Sequence, residues 1–305
     1  MSRWRRLALL ALAGLVAACA QPAPEPPAKP PAAPARSEES MRLERYYRAV
    51  EQRLAEEGMM RTDGGGPDTP FSVDRLVADF ERIALYDEYV VRGGRFVAQQ
   101  TPSFLRRWEG PIRYRVIAGP LSPPAKVAKV EREVAGYAAR LSRLTGLSIR
   151  PAGKGRANMV ILFVYRDERR EAADMLPELL PGVGREVVRE IANSPRNTFC
   201  AAYALSAGER PSVYTAAVIL LKAEHGDLGR LSCIHEEMAQ ALGLANDSPT
   251  ARPSIFNDDE EFALLTHHDE LLLRMLYDRR LRPGMTPDEA RPILRQIAQE
   301  LMASG

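Results

Sequence analysis

Apolar residues recur at two different spacings along this chain, and the spacings predict both helices and strands. From Ser122, a predicted N-cap, to Gly146, apolar side chains recur three and four residues apart, which predicts a helix with one buried face. Residues 112–116 alternate apolar with polar positions, as in a strand buried on one side. Residues 158–165 read NMVILFVY, a run that is typical of a central strand buried on both faces.

The same patterns predict an order of elements for the rest of the chain. The predicted helices are 39–57, one that starts at Ser72, 122–146, 169–175, 232–243, 265–277 and 286–302, and the predicted strands are 112–116, 158–165, 199–206 and 213–221. Residues 39–110 are predicted as an N-terminal helical region, interrupted by the consecutive glycines 64–66. Periodicity alone therefore predicts a fold that mixes α and β elements.

The N-terminus has the pattern of an export signal. Arginines in the first six residues precede the apolar run 7–16, which is too short to span a membrane. The run ends in Val16-Ala17-Ala18-Cys19, which resembles a bacterial lipobox and implies that Cys19 becomes the lipidated first residue of the mature protein. The alternative is a plain signal peptide cut near Ala18 or Ala20. Alanine at position 20 implies, by the same resemblance, an outer-membrane anchor facing the periplasm.

Composition adds a tether and a disulfide to this prediction. Residues 20–38 are rich in proline and predict a stiff, extended spacer between the anchor and the folded part. In an exported protein, the two remaining cysteines, Cys200 and Cys233, predict a disulfide, with two buried thiols as the alternative. A net charge of +2 gives no indication of a nucleic-acid partner.

One stretch in the C-terminal part carries the pattern of a catalytic motif. Residues 232–247 read SCIHEEMAQALGLAND and predict an amphipathic helix that ends at Gly243. Glu236 and Gln240 are four residues apart and therefore share one face of that helix. The stretch resembles the His-Glu-x-x-His-x-x-Gly-x-x-His motif of metzincin-type zinc metalloproteases. By that resemblance, Gly243 matches the glycine of the motif and Glu237 its catalytic glutamate.

The residues at the zinc-binding positions of that motif are different in this chain. Glu236, Gln240 and Asn246 stand where the three histidines would be. Zinc prefers imidazole or thiolate ligands, whereas oxygen ligands such as these, or Asp247, suit calcium or magnesium. We therefore expect no bound cofactor, with zinc or calcium at these four residues as the alternative. Glu237 would be catalytic only in an active enzyme, because its counterpart activates a metal-polarised water.

Three further residues are candidates for the walls of a cleft. Residues 254–257 read SIFN and stand where a metzincin has its methionine turn, which makes Phe256 and Asn257 candidates. His235 precedes the first ligand position by one residue, and it is either a cleft residue or a hydrogen-bonded histidine of the helix face. The acidic run 258–261 is either part of the site or a solvated surface loop.

Together, HEEMAQALGLAND, SIFNDD and the run 276–285 resemble an uncharacterised bacterial lipoprotein family, domain of unknown function 2927. That family is distantly similar to metzincins, and the resemblance covers roughly residues 72–301. It implies an α+β, zincin-like or metzincin-like domain over residues 111–305, in which a mixed sheet backs a central helix, with extra N-terminal helices and a C-terminal helix.

The resulting expectation is an envelope-anchored lipoprotein whose metzincin-like domain is inactive. Its cleft would bind a peptide, a protein or a cell-wall partner. One alternative is an active metal-dependent hydrolase that uses non-standard ligands, and another is a structural lipoprotein of the envelope. The absence of histidine at the ligand positions favours recognition over hydrolysis.

Overall fold

The computed structural model describes residues 35–303, with the exception of residues 94, 207 and 209. The predicted signal peptide, Cys19 and most of the predicted tether lie outside the described residues. Within the described ranges, every helix is too short or too polar to cross a membrane.

Helices and strands alternate along much of the described chain. The helices are α1 Glu38–Glu56, α2 Val73–Ala84, α3 Pro124–Thr145, α4 Arg169–Asp174, α5 Leu176–Leu179, α6 Arg185–Asn193, α7 Asp227–Gln240, α8 His267–Leu276 and α9 Pro287–Ala303. The strands are β1 Tyr86–Arg92, β2 Arg95–Pro102, β3 Arg107–Trp108, β4 Ile112–Ala118, β5 Ile149–Pro151, β6 Met159–Val164, β7 Cys200–Ser206 and β8 Val213–Lys222.

Most of the strands belong to one mixed, mainly parallel sheet. Its order is β5-β4-β6-β8-β7, and the short β3 pairs with the first residues of β8. All pairs are parallel except β7 with β8, which is antiparallel. β6 lies in the interior of the sheet with all six residues buried, as its continuous apolar run predicts. The prediction of a fold that mixes helices with a sheet is confirmed at this level.

Helices cover both faces of the sheet. The larger core contains the buried faces of α2, α3, α7, α8 and α9, and the smaller core lies under α4, α5 and α6. α3 buries residues spaced three and four apart, and Gly146 ends it in the left-handed conformation. Ser122 is not its N-cap, because Pro123 takes that position without a side-chain hydrogen bond.

The N-terminal region is less helical than the sequence predicts. Residues 39–110 contain α1 and α2, but they also contain β3 and the antiparallel hairpin of β1 with β2. α6 and the short β5 are further elements that the apolar pattern missed. The separate β1–β2 hairpin lies outside the main sheet.

The end of α7 is held by two hydrogen bonds and a glycine turn. The Nε1 of Trp108 donates to the carbonyl of Ala241 at 2.8 Å, and the hydroxyl of Tyr277 donates to the carbonyl of Leu242 at 2.8 Å. Gly243 then turns the chain with φ at +125°, a value that favours glycine. α7 is thereby fixed against the sheet, with its C-terminal end next to β3.

Candidate functional site

A cleft lies between α1 and α7, next to the first residue of β7. Its space is about 410 Å³, part of it open to solvent. Helix α1 forms one wall with Tyr47, Val50, Glu51 and Leu54, and the other walls contain Met60, Phe199, Cys200, His225, Gly229, Ser232, Cys233, Glu236 and Glu260. The cleft is therefore an apolar and aromatic groove that carries three carboxylates.

Of the three metzincin ligand positions, one faces this cleft. Glu236 lines it, whereas the Nε2 of Gln240 donates to Asp247 at 3.3 Å. Asn246 is buried and binds α2, because its Nδ2 donates to the carbonyl of Arg82 at 2.8 Å and its backbone N–H to Ile83. The spacing of the motif is kept, but Gln240 and Asn246 are engaged with other partners.

Glu237, at the position of the catalytic glutamate, lies next to the cleft and is buried. Atoms of Glu237, Glu236 and Cys200 all lie within 4.8 Å of one another. However, Cys200 forms a disulfide with Cys233, so its sulfur cannot act as a thiolate ligand. The remaining donors are two carboxylates, which do not match the nitrogen and sulfur ligands that zinc prefers.

The predicted disulfide between Cys200 and Cys233 is confirmed. The Cα atoms lie 5.8 Å apart, and the bond closes a loop with a sequence separation of 33. It connects the start of β7 directly to α7, one turn before Glu236. The wall of the cleft is therefore covalently fixed at this point.

Electrostatic repulsion and burial control the charge of the cleft. Burial raises the pKa of Glu236 well above its usual range, and the nearby carboxyls of Glu237 and Asp247 raise it further. Burial also raises the pKa of Glu260 to about 7, with repulsion from Asp258 and Asp259. Both groups keep their protons to a higher pH than ordinary glutamates, and a bound cation would favour their ionised forms.

The acidic run 258–261 divides into parts with different roles. Asp258 and Asp259 are exposed, as in a solvated loop. Glu260, in contrast, lines the cleft and adopts a positive φ of 60°. Glu261 binds Arg252 and Arg61. The surface-loop interpretation therefore describes only half of the run.

The three predicted cleft residues lie away from the cleft walls. His235 stacks on Tyr137 with ring centroids 4.0 Å apart, and its Nδ1 accepts the backbone N–H of Leu265 at 3.1 Å. Burial, with a smaller effect of Arg140, lowers the pKa of His235 to about 3, so it is neutral at physiological pH. His235 is thus a hydrogen-bonded helix-face histidine.

Phe256 and Asn257 stabilise the loop that precedes α8. Phe256 is fully buried in the larger core, and the Nδ2 of Asn257 donates to the carbonyl of Ala251 at 3.0 Å. The carboxylate of Asp269 accepts hydrogen bonds from Ser254 and from the backbone of Ile255. This loop is therefore held by α8 from inside the core.

The residues that sequence reasoning missed come mainly from α1. The ring of Tyr47 stacks on His225 with centroids 4.0 Å apart, and its hydroxyl accepts a hydrogen bond from the buried Lys222 at 3.2 Å. Glu51 accepts the backbone N–H of Gly229, in the first turn of α7, at 3.2 Å. Ser40 donates to the buried Glu224 at 3.0 Å. The pairing of a helix with a site far along the chain leaves no local signal in the sequence.

The sequence of this domain matches the profile of a known protein family. The helix, the cleft beside it and the sheet behind it define a mixed α/β domain with an acidic groove. The profile of the family described as Protein of unknown function (DUF2927) matches residues 74–296, and the chain belongs to this family. No curated protein and no solved structure matches the chain.

Proposed function

We propose that this domain is a recognition module, with a zincin-like architecture, that binds an extended peptide segment without hydrolysing it. The strand order, with one antiparallel strand at the edge beside α7, supports the zincin-like interpretation. The observation that carries the binding function is the open edge of β7 next to the acidic cleft. No other strand of the described residues pairs with that edge.

The hydrogen bonds of β8 show which groups point toward β7. The N–H of Ala217 donates to Asn158 at 2.9 Å and that of Ala223 donates to Val164 at 3.0 Å, both on the side of β6. Backbone groups alternate between the two neighbours of a strand. Even-numbered residues of β8, such as Val218, therefore direct their backbone groups toward β7.

The register then identifies the free groups of β7. Tyr203 is paired with Val218, so its backbone groups are used within the sheet. Its neighbours Ala202 and Ala204 direct their N–H and carbonyl groups outward. An exposed row of this kind can bind an extended peptide as an additional strand.

The cleft favours a basic side chain on that peptide. Its lining includes Glu51, Glu236 and Glu260 but no lysine or arginine. Burial lowers the pKa of His225 to about 4, so this residue adds no positive charge near neutral pH. The apolar stem of a lysine or arginine can pack on the aromatic wall while its charged end reaches the carboxylates.

Recognition rather than hydrolysis is supported by the side chains at the motif positions. Gln240 and Asn246 are engaged by Asp247 and α2, and the first position carries the carboxyl of Glu236. Without a metal, Glu237 could give only general-base assistance, which contributes on the order of 10²–10⁴-fold. That contribution is too small for ordinary peptide hydrolysis.

We also propose that acylated Cys19 anchors the domain to the outer membrane. The lipobox-like residues 16–19 support this anchor, and the proline-rich segment supports a spacer of some length. The domain would then present its cleft to partners in the periplasm.

Peptide binding can be tested with variants of the β7 edge. A fluorescent ten-residue peptide of alternating threonine and lysine is titrated with the full chain, and anisotropy reports binding. Ala204→Pro removes one outward N–H and leaves the bonds to β8 in place, so we expect affinity to fall about tenfold. Ala204→Ser keeps the N–H and should bind like the unmodified chain.

The pH dependence provides a second readout of the same assay. Affinity should rise between pH 6 and pH 8 as Glu260 loses its proton, and Glu260→Gln should flatten this rise. Equal binding of the proline and serine variants, or of a threonine–glutamate peptide, would refute strand addition at the acidic cleft. Stoichiometric zinc together with peptide turnover that Glu237→Gln abolishes would establish the hydrolase instead.

A further inference from the structure

Five basic residues lie together at one corner of the sheet, on the amino-terminal side of β4 and β6. Arg113 and Arg115 come from β4, Arg150 comes from β5, and Lys154 and Arg156 come from the loop before β6. None of the five forms a salt bridge with another residue of the ranges that the structure describes. Their positive charges are therefore not neutralised within the described fold.

The strand register brings two of these charges directly side by side. Arg113 and Arg150 are Cα partners in the parallel pair of β4 with β5, and Arg115 is two residues further along the same face. Ile112 and Tyr114 alternate with these arginines along β4, and both are buried in the larger core. Like charges at paired positions destabilise a sheet, so an external anion would relieve a local repulsion.

Backbone carbonyls hold the guanidinium groups in place. The Nη2 of Arg115 donates to Gly153 at 3.2 Å and to Gly155 at 2.6 Å. The Nε of Arg113 donates to the carbonyl of Arg156 at 3.1 Å. Both bonds of Arg115 come from Nη2, so its Nε–H and Nη1–H groups remain as donors for the oxygens of an anion.

Three of the five basic residues line a defined cavity. It encloses about 550 Å³, part of it open to solvent, between the loop 153–157 and the end of α5. Arg115, Lys154 and Arg156 line it together with Val160 of β6, and Glu178 is the one carboxylate on its wall. Positive charge in a concave site concentrates the field on a bound anion.

We propose that this cavity binds a phosphate group. The held guanidinium of Arg115, the charges of Lys154 and Arg156 and the presence of only one carboxylate on the wall match a tetrahedral anion with several acceptor oxygens. Such a group is available from the headgroup of an anionic lipid and from free phosphate compounds. The site is separate from the acidic cleft, and it does not depend on the proposed peptide binding.

The test uses the full chain with Cys19→Ser, so that acyl chains do not contribute. Co-sedimentation is measured with vesicles of phosphatidylglycerol and phosphatidylcholine, and with vesicles of phosphatidylcholine alone. The cavity variant carries Lys154→Gln and Arg156→Gln on the cavity wall and Arg150→Gln on the neighbouring strand, and all three side chains are exposed and hold no part of the loop. A control variant loses the same charge elsewhere through Arg45→Gln, Arg132→Gln and Arg274→Gln.

We expect binding to the anionic vesicles to fall at least tenfold in the cavity variant and less than twofold in the control variant. Titration with inorganic phosphate and pyrophosphate distinguishes the two sources of the phosphate group. A protein that binds the vesicles but neither soluble compound recognises a lipid headgroup, whereas saturable binding of a soluble compound indicates a free phosphate compound. Equal losses in the two variants would show a general charge effect and overturn the proposal, as would the absence of binding to all probes.

Discussion

At the scale of single residues, Gly243 is the member of the predicted catalytic motif that the fold itself explains. A Cβ atom at this position would lie 2.3 Å from the carbonyl oxygen of Arg106, in addition to the strain of a positive φ. The contact joins the end of α7 to the segment that enters β3. The glycine is therefore required for packing, whether or not the site binds a metal.

Gly243→Ala is expected to lower the free energy of unfolding by about 3 kcal/mol, because both the backbone angle and the contact with Arg106 become unfavourable. Gly136→Ala is the matched control, since Gly136 lies on the exposed side of α3 with no atom near a new Cβ. That change should raise stability by up to about 1 kcal/mol. Urea denaturation measures both, and a neutral Gly243→Ala variant would contradict the steric argument.

Several site residues could be predicted from local spacing, and others could not. The pairing of Cys200 with Cys233 follows from the two cysteines that remain once Cys19 is assigned to the predicted lipobox, and Glu236 follows from the motif. Asn246 lies at the third ligand position, yet it binds a carbonyl of α2. Tyr47 reaches the cleft from a distant helix. Spacing defines a residue's position along one element, but the partner of that element is set by the tertiary fold.

At the scale of elements, the disulfide joins two elements that both line the cleft, on the side that faces α1. β7 supplies Cys200 and the open edge, and α7 supplies Cys233 and Glu236. The cross-link restricts the unfolded chain over the loop between them, and a loop of this length contributes about 3–4 kcal/mol. The position of the β7 edge relative to the carboxylates therefore depends on a covalent bond.

Cys200→Ala combined with Cys233→Ala should lower the free energy of unfolding by about 3 kcal/mol and weaken peptide binding, because the edge of β7 is no longer held to α7. Cys19→Ser is the matched control, and it should leave the unfolding transition unchanged. Urea denaturation measures the stability. Two reactive thiols in the unreduced Cys19→Ser chain would contradict the disulfide.

The elements that the sequence predicts well are those with strong periodicity. α3 and β6 have long apolar patterns, and each is found close to its predicted range. The apolar pattern does not predict the β1–β2 hairpin, because consecutive glycines in the sequence fit a break between elements as well as a tight turn between strands. α6 was missed because its short pattern follows the Pro-Gly-rich segment 181–184.

At the scale of the whole molecule, charge is separated although the net charge is only +2. The acidic cleft lies beyond the carboxyl end of β8, near His225 and Gly229, and the basic cavity lies toward the amino ends of β4 and β6. These strands are parallel, so the two sites are at opposite ends of the sheet. On an anionic membrane, this separation would direct the basic cavity toward the lipid and the cleft away from it.

A protein that is held to the membrane by an acyl anchor and by a basic cavity should be released in two steps. With Cys19→Ser, we expect part of the protein to remain in the membrane fraction at low salt, because the basic cavity still contacts anionic headgroups. A wash at about 0.5 M salt should release that part, since screening weakens exposed charge interactions. Adding Arg150→Gln, Lys154→Gln and Arg156→Gln should give full release at low salt, as measured by fractionation and immunoblotting. Retention of Cys19→Ser at high salt would contradict the acyl anchor, and its full release at low salt would contradict the contribution of the cavity.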